Sequence, residues 1–391
     1  MKILYIHQYF KIPSEGGAIR SWHIAKGMVL AGHEVVVITS HNDSNSIIKI
    51  IDGITVHYLP VTYNNHFGLL RRAFSFLSFA WRALNTSLKI ASVNLCYATS
   101  TPITVGIVAY MLKRKKSIPY IFEVRDLWPE ALIQMGIIEN SIIKKILYSL
   151  EKIIYLNAKK IIALSPGMQT GVLNICPNKN VIVIPNMSDC SFFTFEQKNS
   201  FLEDVYCVKG KFVVSYIGSA GPSNNLMHLV DIINYCNITK RNDIVFFIQA
   251  KGPELKKMKS ALTKINHTHV QFIPYGNKES VKQLLNVSDA VYISFATKSI
   301  LQTNSPNKFF DALAAGKLII VNTQGWLTEL VEKEDIGFYA DPIHPSKFIE
   351  KIEPYIKDKT RLLAAQSKAR RVAENSYSTK ILVEKLLNEL E

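Results

Sequence analysis

From its first residues the chain alternates short β-branched runs with longer helical patterns, and this rhythm runs once, lapses, and starts again. The runs KILYIH (2–7), EVVVITS (34–40), ITVHYLP (54–60), VNLCYA (93–98), PYIFEV (119–124), KIIALS (160–165) and VIVIP (181–185) make the first series. A second series follows at 212–218, 244–250, 270–274, 290–295 and 317–322. Strands separated by helices of ten or more residues pair in parallel, because a parallel neighbour is reached only through a crossover. With 391 residues, 48% of them hydrophobic, the chain is too long for one core and rich enough for two. The expected fold is α/β, with an N-terminal domain over 1–190, a linker at 191–210, and a C-terminal domain over 211–375. A closing helix over 376–391 carries Ile381, Leu382, Leu386, Leu387 and Leu390 on one stripe, and packing back on the N-terminal domain is one way to bury it.

The N-terminus MKILYIHQYF reads as a first strand rather than a leader, and no apolar stretch approaches the roughly 20 residues that a spanning helix needs. Five cysteines without C-x-x-C spacing give no disulfide framework, which suits a cytoplasmic protein. Up to Cys190 there are 20 Lys and Arg against 10 acids, and 26 against 21 beyond it, so +10 of the net +15 lies in the first half. Such a surplus draws phosphate-bearing partners. No G-x-G-x-x-G follows either leading strand and no G-K-[ST] loop is present, which removes the fingerprints of dinucleotide dehydrogenases and P-loop ATPases. No D-x-D and no His/Cys cluster at zinc spacing points to a metal. His7, His23 and His33 stand isolated and read as structural.

Ligands of doubly wound sheets bind outside the C-terminal strand ends, so the chemistry is sought in a few loops. Gly16 and Gly17, in HQYFKIPSEGGAIRSW, serve either a tight turn or a close backbone approach to a phosphate or sugar, and Arg20 lies just beyond them as a ligand contact or a surface cation. The loop RDLWPEA gathers Arg125, Asp126, Trp128 and Glu130, where Asp126 meets a ligand or caps a helix. GSAGPSNN (218–225) opens a helix after the first strand of the second series. In TNSPNKFFDALAAGK a helix begins near Asn307, and Gly316 ends it. Lys308 and Asp311 lie three apart on it, either pairing with each other or holding a diphosphate and a ribose. Residues 66–90 form a further helix, with Phe67, Leu70, Phe74, Leu77, Trp81 and Leu84 on one stripe and Arg71, Arg72 and Arg82 beside it. That stripe packs on the sheet or meets an anionic membrane, with Lys113 to Lys116 adding charge in the same domain.

Taken in order, EGG with Arg20, AGHEVVVIT (31–39), RDLWPEA (125–131), ALSPG (163–167), VIPN (183–186), YIGSAG (216–221) and SPNKFFDALAAGK (305–317) resemble glycosyltransferase family 4. The likeness is greatest to the WbuB-like branch that builds bacterial surface polysaccharides, and it spans nearly the whole chain. It implies a GT-B fold, two Rossmann-like domains whose parallel sheets face a central cleft, and retaining transfer with no metal or other cofactor. The donor implied is a UDP-sugar, carrying an N-acetylated or deoxy hexose. The acceptor implied is an undecaprenyl-diphosphate-linked saccharide of O-antigen or capsule assembly, reached by peripheral attachment to the inner face of the cytoplasmic membrane. No nucleic acid is expected as a partner.

Of the two glutamates that the family spaces seven residues apart, the second matches Asp311, on the ribose, and the first falls on Thr303, beside the donor sugar. The resemblance makes Lys308, Asp126 and Thr303 the catalytic set. Asp311, Asn307, Pro306, Asn304, Gly218 and Lys251 would bind the donor. Gly16, Gly17, Arg20 and Arg125 would form the acceptor or diphosphate loop, Arg125 standing where members often carry His. The family's Arg and Lys on the diphosphate are replaced by GSAGPSNN, leaving Lys308, with Lys251 or Lys298, to compensate. Two other classes remain, a GT-B sugar-nucleotide epimerase and a non-catalytic basic binding protein.

Overall fold

Parallel strands covered on both faces read as unbroken apolar runs, and in the computed structural model the first strand, β1 (Lys2–Ile6), is such a run, with Ile3 through Ile6 wholly buried. Residues 1–17, 19–64, 66–265 and 269–390 are described. They divide into two units, Met1–Pro185 with Leu382–Glu391, and Asn186–Ile381.

The first unit adds β2 (Glu34–His41), β3 (Ile47–Ile51), β4 (Ile54–Pro60), β5 (Leu95–Thr99), β6 (Tyr120–Val124), β7 (Lys160–Ala163) and β8 (Val181–Val183), in the sheet order β3-β4-β2-β1-β5-β6-β7-β8. All pair in parallel except β3, which turns back on β4 through Asp52 and Gly53, both at positive φ. Its helices are α1 (Arg20–Leu30), α2 (Leu69–Lys89), α3 (Thr104–Lys116), α4 (Glu130–Gln134), α5 (Ser141–Asn157) and α6 (Pro166–Ile175).

The second unit opens with α7 (Ser200–Val205) and continues as β9 (Phe212–Ser219), α8 (Met227–Ile238), β10 (Ile244–Lys251), α9 (Glu254–Lys264), β11 (Val270–Phe272), α10 (Lys278–Val287), β12 (Ala290–Ile293), α11 (Asn307–Ala314), β13 (Leu318–Val321), α12 (Trp326–Lys333) and β14 (Gly337–Tyr339). Its parallel sheet runs β11-β10-β9-β12-β13-β14. α13 (Pro345–Lys357) and α14 (Lys359–Val372) follow, then α15 (Thr379–Leu387), from which the chain returns to the first unit. There Val383 seats against Gly27, where a Cβ would come within 2.2 Å of it, and Lys160 bonds Glu389 at 3.2 Å. Leu382, Leu386 and Leu390 of the expected stripe are buried, and residue 391 lies outside the described residues.

The stretch expected as a linker, 191–210, folds as part of the second unit. Lys198 pairs with Asp289 at 2.5 Å, and Asn199 caps α7 while its own N–H bonds Asn286 at 2.8 Å. Its polar residues read as a solvated connection because their partners lie about ninety positions away, and the boundary falls instead at Pro185 and Asn186. Among the described residues no helix is long and apolar enough to cross a membrane.

Candidate functional site

In the second unit a short 3-10 turn, Ser299–Thr303, leads through Asn304 to Pro306 at the N-cap position of α11. Phe309, Phe310, Ala312 and Leu313 go into the core, which turns Lys308 and Asp311 away from it. The two do not pair with each other. The Lys308 ammonium donates to Tyr216 Oη at 2.8 Å and lies 4.1 Å from that ring's centroid, while the Tyr216 hydroxyl donates onward to the Ser219 carbonyl at 2.5 Å. No carboxylate holds it among the described residues, and burial pulls its pKa down to about 7. Gly218, at φ 133, is where this side chain crosses the end of β9, since a Cβ there would meet Lys308 Cε at 3.2 Å. The only carboxylate and the main cation of α11 are therefore aimed at different neighbours.

The Asp311 carboxylate has no hydrogen bond or ion pair among the described residues. Burial raises its pKa to about 7, opposed by Lys278 and helped by Asp189, which are themselves paired at 2.5 Å. A carboxylate in a recess with open lone pairs can accept the two hydroxyls of a ribose. Thr303 turns its hydroxyl onto the Ile300 carbonyl at 2.7 Å, and the Asn304 carbonyl accepts from Trp326 Nε1 at 2.8 Å, so the backbone entering α11 is held from both sides. Asn307 is the first residue of the helix, whose N-terminus has no side-chain cap. Lys251 is exposed, near Tyr275, and Lys298 is exposed as well.

The loop after β9 is fastened by Asn224, whose Nδ2 donates to the Ser294 carbonyl at 3.2 Å and whose Oδ1 accepts from Gly221 N at 3.4 Å. Ser294 Oγ returns a bond to the Asn224 carbonyl at 2.6 Å. Gly252, at φ 147, lets the end of β10 press against this loop, where a Cβ would strike the Ala220 carbonyl at 2.4 Å. Sequence reasoning missed Tyr216, Asn224, Asp189 and Lys278. Two of them carried a trace: Tyr216 stands two residues before Gly218 and hence on the same face of the strand, and Asn224 lies within the GSAGPSNN loop.

In the first unit Arg20 requires correction. It is buried and spends its guanidinium inside the domain, through Nε and Nη2 on Glu123 Oε2 at 3.2 and 3.1 Å, Nη2 on the Ile184 carbonyl at 3.0 Å, and Nη1 on the Pro185 carbonyl. Tyr97 Oη adds a further bond to Glu123 Oε2 at 2.6 Å. Arg20 ties α1, β6 and the chain after β8 together and has no group left for a substrate. Gly16 and Gly17 do adopt positive φ, 68 and 82, with open space where a Cβ would stand.

Asp126 does not cap a helix, since α4 starts behind Pro129 without a side-chain cap. It is partly buried, and burial lifts its pKa to about 6 against the pull of Arg125. Arg125 is held through its own N–H, which bonds Ser100 Oγ at 3.0 Å, and its charge also acts on His7. His7 bonds Ser21 Oγ at 2.9 Å, and burial keeps its pKa well below the usual value. Among the described residues no group of three or more His, Cys, Asp or Glu side chains is placed to hold a metal ion.

Two family models match the chain, the glycosyl transferase 4-like domain over residues 15–187 and glycosyl transferases group 1 over residues 201–379. None of the curated proteins matches it. Among solved structures it resembles a sucrose-phosphate synthase from Thermosynechococcus elongatus, 13% identical, with a TM-score of 0.80 over 99% of this chain and 97% of that one. Anabaena Alr3699/HepE in complex with UDP and glucose is 19% identical, with a TM-score of 0.71 over 100% of this chain and 99% of that one. WaaG, a glycosyltransferase involved in lipopolysaccharide biosynthesis, is 13% identical, with a TM-score of 0.70 over 100% and 99%. At these identities the structures speak for the fold, and the two domain matches carry the activity: the chain is a GT-B glycosyltransferase, a glycosyl transferase 4-like domain followed by a glycosyl transferases group 1 domain.

Proposed function

We propose that this enzyme moves an N-acetylated or deoxy hexose from a UDP-sugar to a saccharide carried on undecaprenyl diphosphate, retaining the anomeric configuration, in O-antigen or capsule assembly. The observation that carries the donor half is Lys308, a sheltered cation with no carboxylate, lying across Gly218 at the uncapped start of α11. A diphosphate supplies the missing negative charge and takes the open N–H groups of the helix. Asp311 then receives the ribose, and Thr303, Asn304 and Pro306 border the transferred sugar. HepE, solved with UDP-glucose, supports a donor of this class.

In the proposed step the bond from the anomeric carbon to the donor's β-phosphate oxygen breaks while the acceptor oxygen bonds that carbon from the same face. The acceptor's hydroxyl proton passes to the departing phosphate oxygen. Lys308 stabilises the charge that gathers on that oxygen, so its contribution belongs to the transition state more than to the ground state. Asp126 and Arg125 are read as groups that orient the acceptor, with Gly16 and Gly17 leaving the backbone open beside them. No metal is assigned a role, and turnover is expected to survive EDTA.

The acceptor half draws on α2. Ser75, Phe79, Ala80 and Ala83 face the core, whereas Leu70 (89% exposed), Phe74 (73%) and Trp81 (66%) stand in solvent, so the stripe is not core. With Arg71 and Arg82 exposed beside it, this face suits an anionic membrane, where a lipid-linked acceptor resides. WaaG's part in lipopolysaccharide biosynthesis is in keeping with such an acceptor. Mass spectrometry of products from a panel of UDP-sugars and undecaprenyl-diphosphate N-acetylglucosamine tests the whole reading. A product heavier by one sugar residue is expected, and free sugar alone with every donor would overturn it.

A further inference from the structure

At the C-terminal edge of the first unit's sheet, aromatic rings from four chain segments meet in sequence. His7 lies 6.5 Å from Tyr9, Tyr9 5.0 Å from Tyr63, Tyr63 5.8 Å from Phe76, and Phe76 6.0 Å from Trp128. The series returns to its start through the loop of Trp128, because Arg125, three residues earlier, acts electrostatically on His7. Tyr9, Tyr63, Phe76, Trp128 and Asp126 all remain partly exposed, so the rings border a recess rather than fill a core. Gln8, between His7 and Tyr9, is wholly buried, and neither its amide nitrogen nor its amide oxygen has a partner. An unmet buried amide is unfavourable, and a bound polar group relieves it.

One wall of the recess continues into charge. α2 begins at Gly68 with no side-chain cap and carries Arg71 and Arg72 in its first turn. Arg71 lies 3.8 Å over Phe67, and the charge of Arg72 is felt at the Tyr9 hydroxyl. Ser75 Oγ, bonded to the Thr62 carbonyl at 3.0 Å, ties α2 to the segment of Tyr63, and Thr104 Oγ1, bonded to the Phe76 carbonyl at 3.4 Å, ties it to α3. On the side of the helix next to Arg71 stand the exposed Leu70, Phe74 and Trp81. Around the circumference of the helix, at about 100° per residue, the order is then Phe76 of the aromatic recess, Arg72, Arg71, apolar stripe.

We infer that the Tyr9–Tyr63–Phe76–Trp128 recess holds the saccharide of the acceptor, and that Arg71 and Arg72 take the diphosphate joining it to its lipid. Flat rings match the C–H faces of a pyranose, a few polar groups among them match its hydroxyls, and a guanidinium matches a phosphate with two parallel bonds. A ligand with sugar, diphosphate and chain in that order engages all three zones. This inference rests on the lipid-linked acceptor proposed above, and adds where it sits and what selects it.

Calorimetric titration separates the zones, with farnesyl-diphosphate-linked N-acetylglucosamine and farnesyl diphosphate as probes in the absence of vesicles. The sugar-bearing probe should bind at least tenfold tighter. Tyr63→Ala should abolish that advantage without weakening farnesyl diphosphate, Tyr63→Phe should keep it, and Trp128→Leu should repeat the Tyr63→Ala result. Arg71→Ala should weaken both probes about equally, by fivefold or more. Equal binding of the two probes by the unmodified enzyme, or an undiminished sugar advantage in Tyr63→Ala and Trp128→Leu, overturns the assignment. Thermal stabilisation by UDP should be the same in every variant. Its loss in these variants would mean damage beyond the recess and also overturn it. Absence of UDP stabilisation in the unmodified enzyme would instead strike the donor reading, and so separates the two failures.

Discussion

The pKa of Lys308 turns the donor proposal into a pH measurement. With a value near 7 in the free protein, the side chain is mostly uncharged at alkaline pH. A diphosphate placed against it favours the charged form and raises that value, so UDP binding takes up a proton. Above pH 8 Asp311 is largely ionised, since its own value is about 7, and the terminal phosphate of UDP, with a second pKa near 6, is fully ionised as well. Lys308 is then the group at the site still changing charge. Its charged fraction falls from about 9% at pH 8 to about 1% at pH 9, so affinity for UDP should fall roughly ninefold across that unit. Calorimetry in two buffers of different ionisation enthalpy should show uptake of close to one proton near pH 8.5. Lys308→Arg keeps its charge throughout and should lose the slope. A flat affinity from pH 8 to 9 in the unmodified enzyme, or the same slope in Lys308→Arg, would refute the reasoning.

Four further outcomes are expected. Lys308→Ala should lose at least roughly tenfold in turnover, about 1.4 kcal/mol, and unchanged kcat would sink its assigned role. Arg20→Met leaves the Glu123 carboxylate buried without its cation and should cost about 3–5 kcal/mol in urea unfolding, whereas a loss confined to substrate KM would return Arg20 to the ligand. For Asp311 a raised pKa means that folding favours the neutral carboxyl: stability is full below the unfolded value and is lost as pH rises through about 7. Asp311→Asn should therefore raise the thermal midpoint at pH 8 by a few degrees while weakening UDP binding, and an unchanged midpoint would count against it. Finally, Phe74→Glu with Trp81→Glu should abolish salt-sensitive co-sedimentation with anionic vesicles; pelleting equal to the unmodified enzyme would dismiss α2 as the contact.

Much of the fold could be read because each central strand is a β-branched run between helical patterns, which admits only parallel pairing. β3 escaped that reading: IIKII has no alternation, although the Asp52-Gly53 pair behind it is a hairpin signal in plain view. The site was legible where it depends on local spacing, as at the start of α11, and illegible where it depends on distant partners. Glu123 lies 103 positions from Arg20 inside a strand, and nothing near Arg20 announces it. The stripe on α2 was visible in the sequence, but its burial was not, because an apolar stripe looks the same whether a sheet or a membrane covers it.

The cations of this chain show why Lys308 stands out among many. A sheltered positive charge is tolerated when a carboxylate accompanies it, and the second unit obeys this at Lys198 with Asp289, Lys278 with Asp189, and Arg241 with Asp243 and Glu353. Two lysines there have burial as the chief influence on their charge. Lys317 bonds the Asn286 carbonyl at 3.3 Å and is steadied by Asp289, and burial lowers its pKa to about 8. It precedes β13, at the strand edge where doubly wound folds do not bind ligands. Lys308 has only a phenol for company and lies against Gly218 near the end of β9, at the edge where such folds do. A unit that sets a carboxylate near its other sheltered cations gains nothing in stability from leaving this one without a carboxylate at the ligand-binding edge, so the partner it lacks is best sought in the substrate.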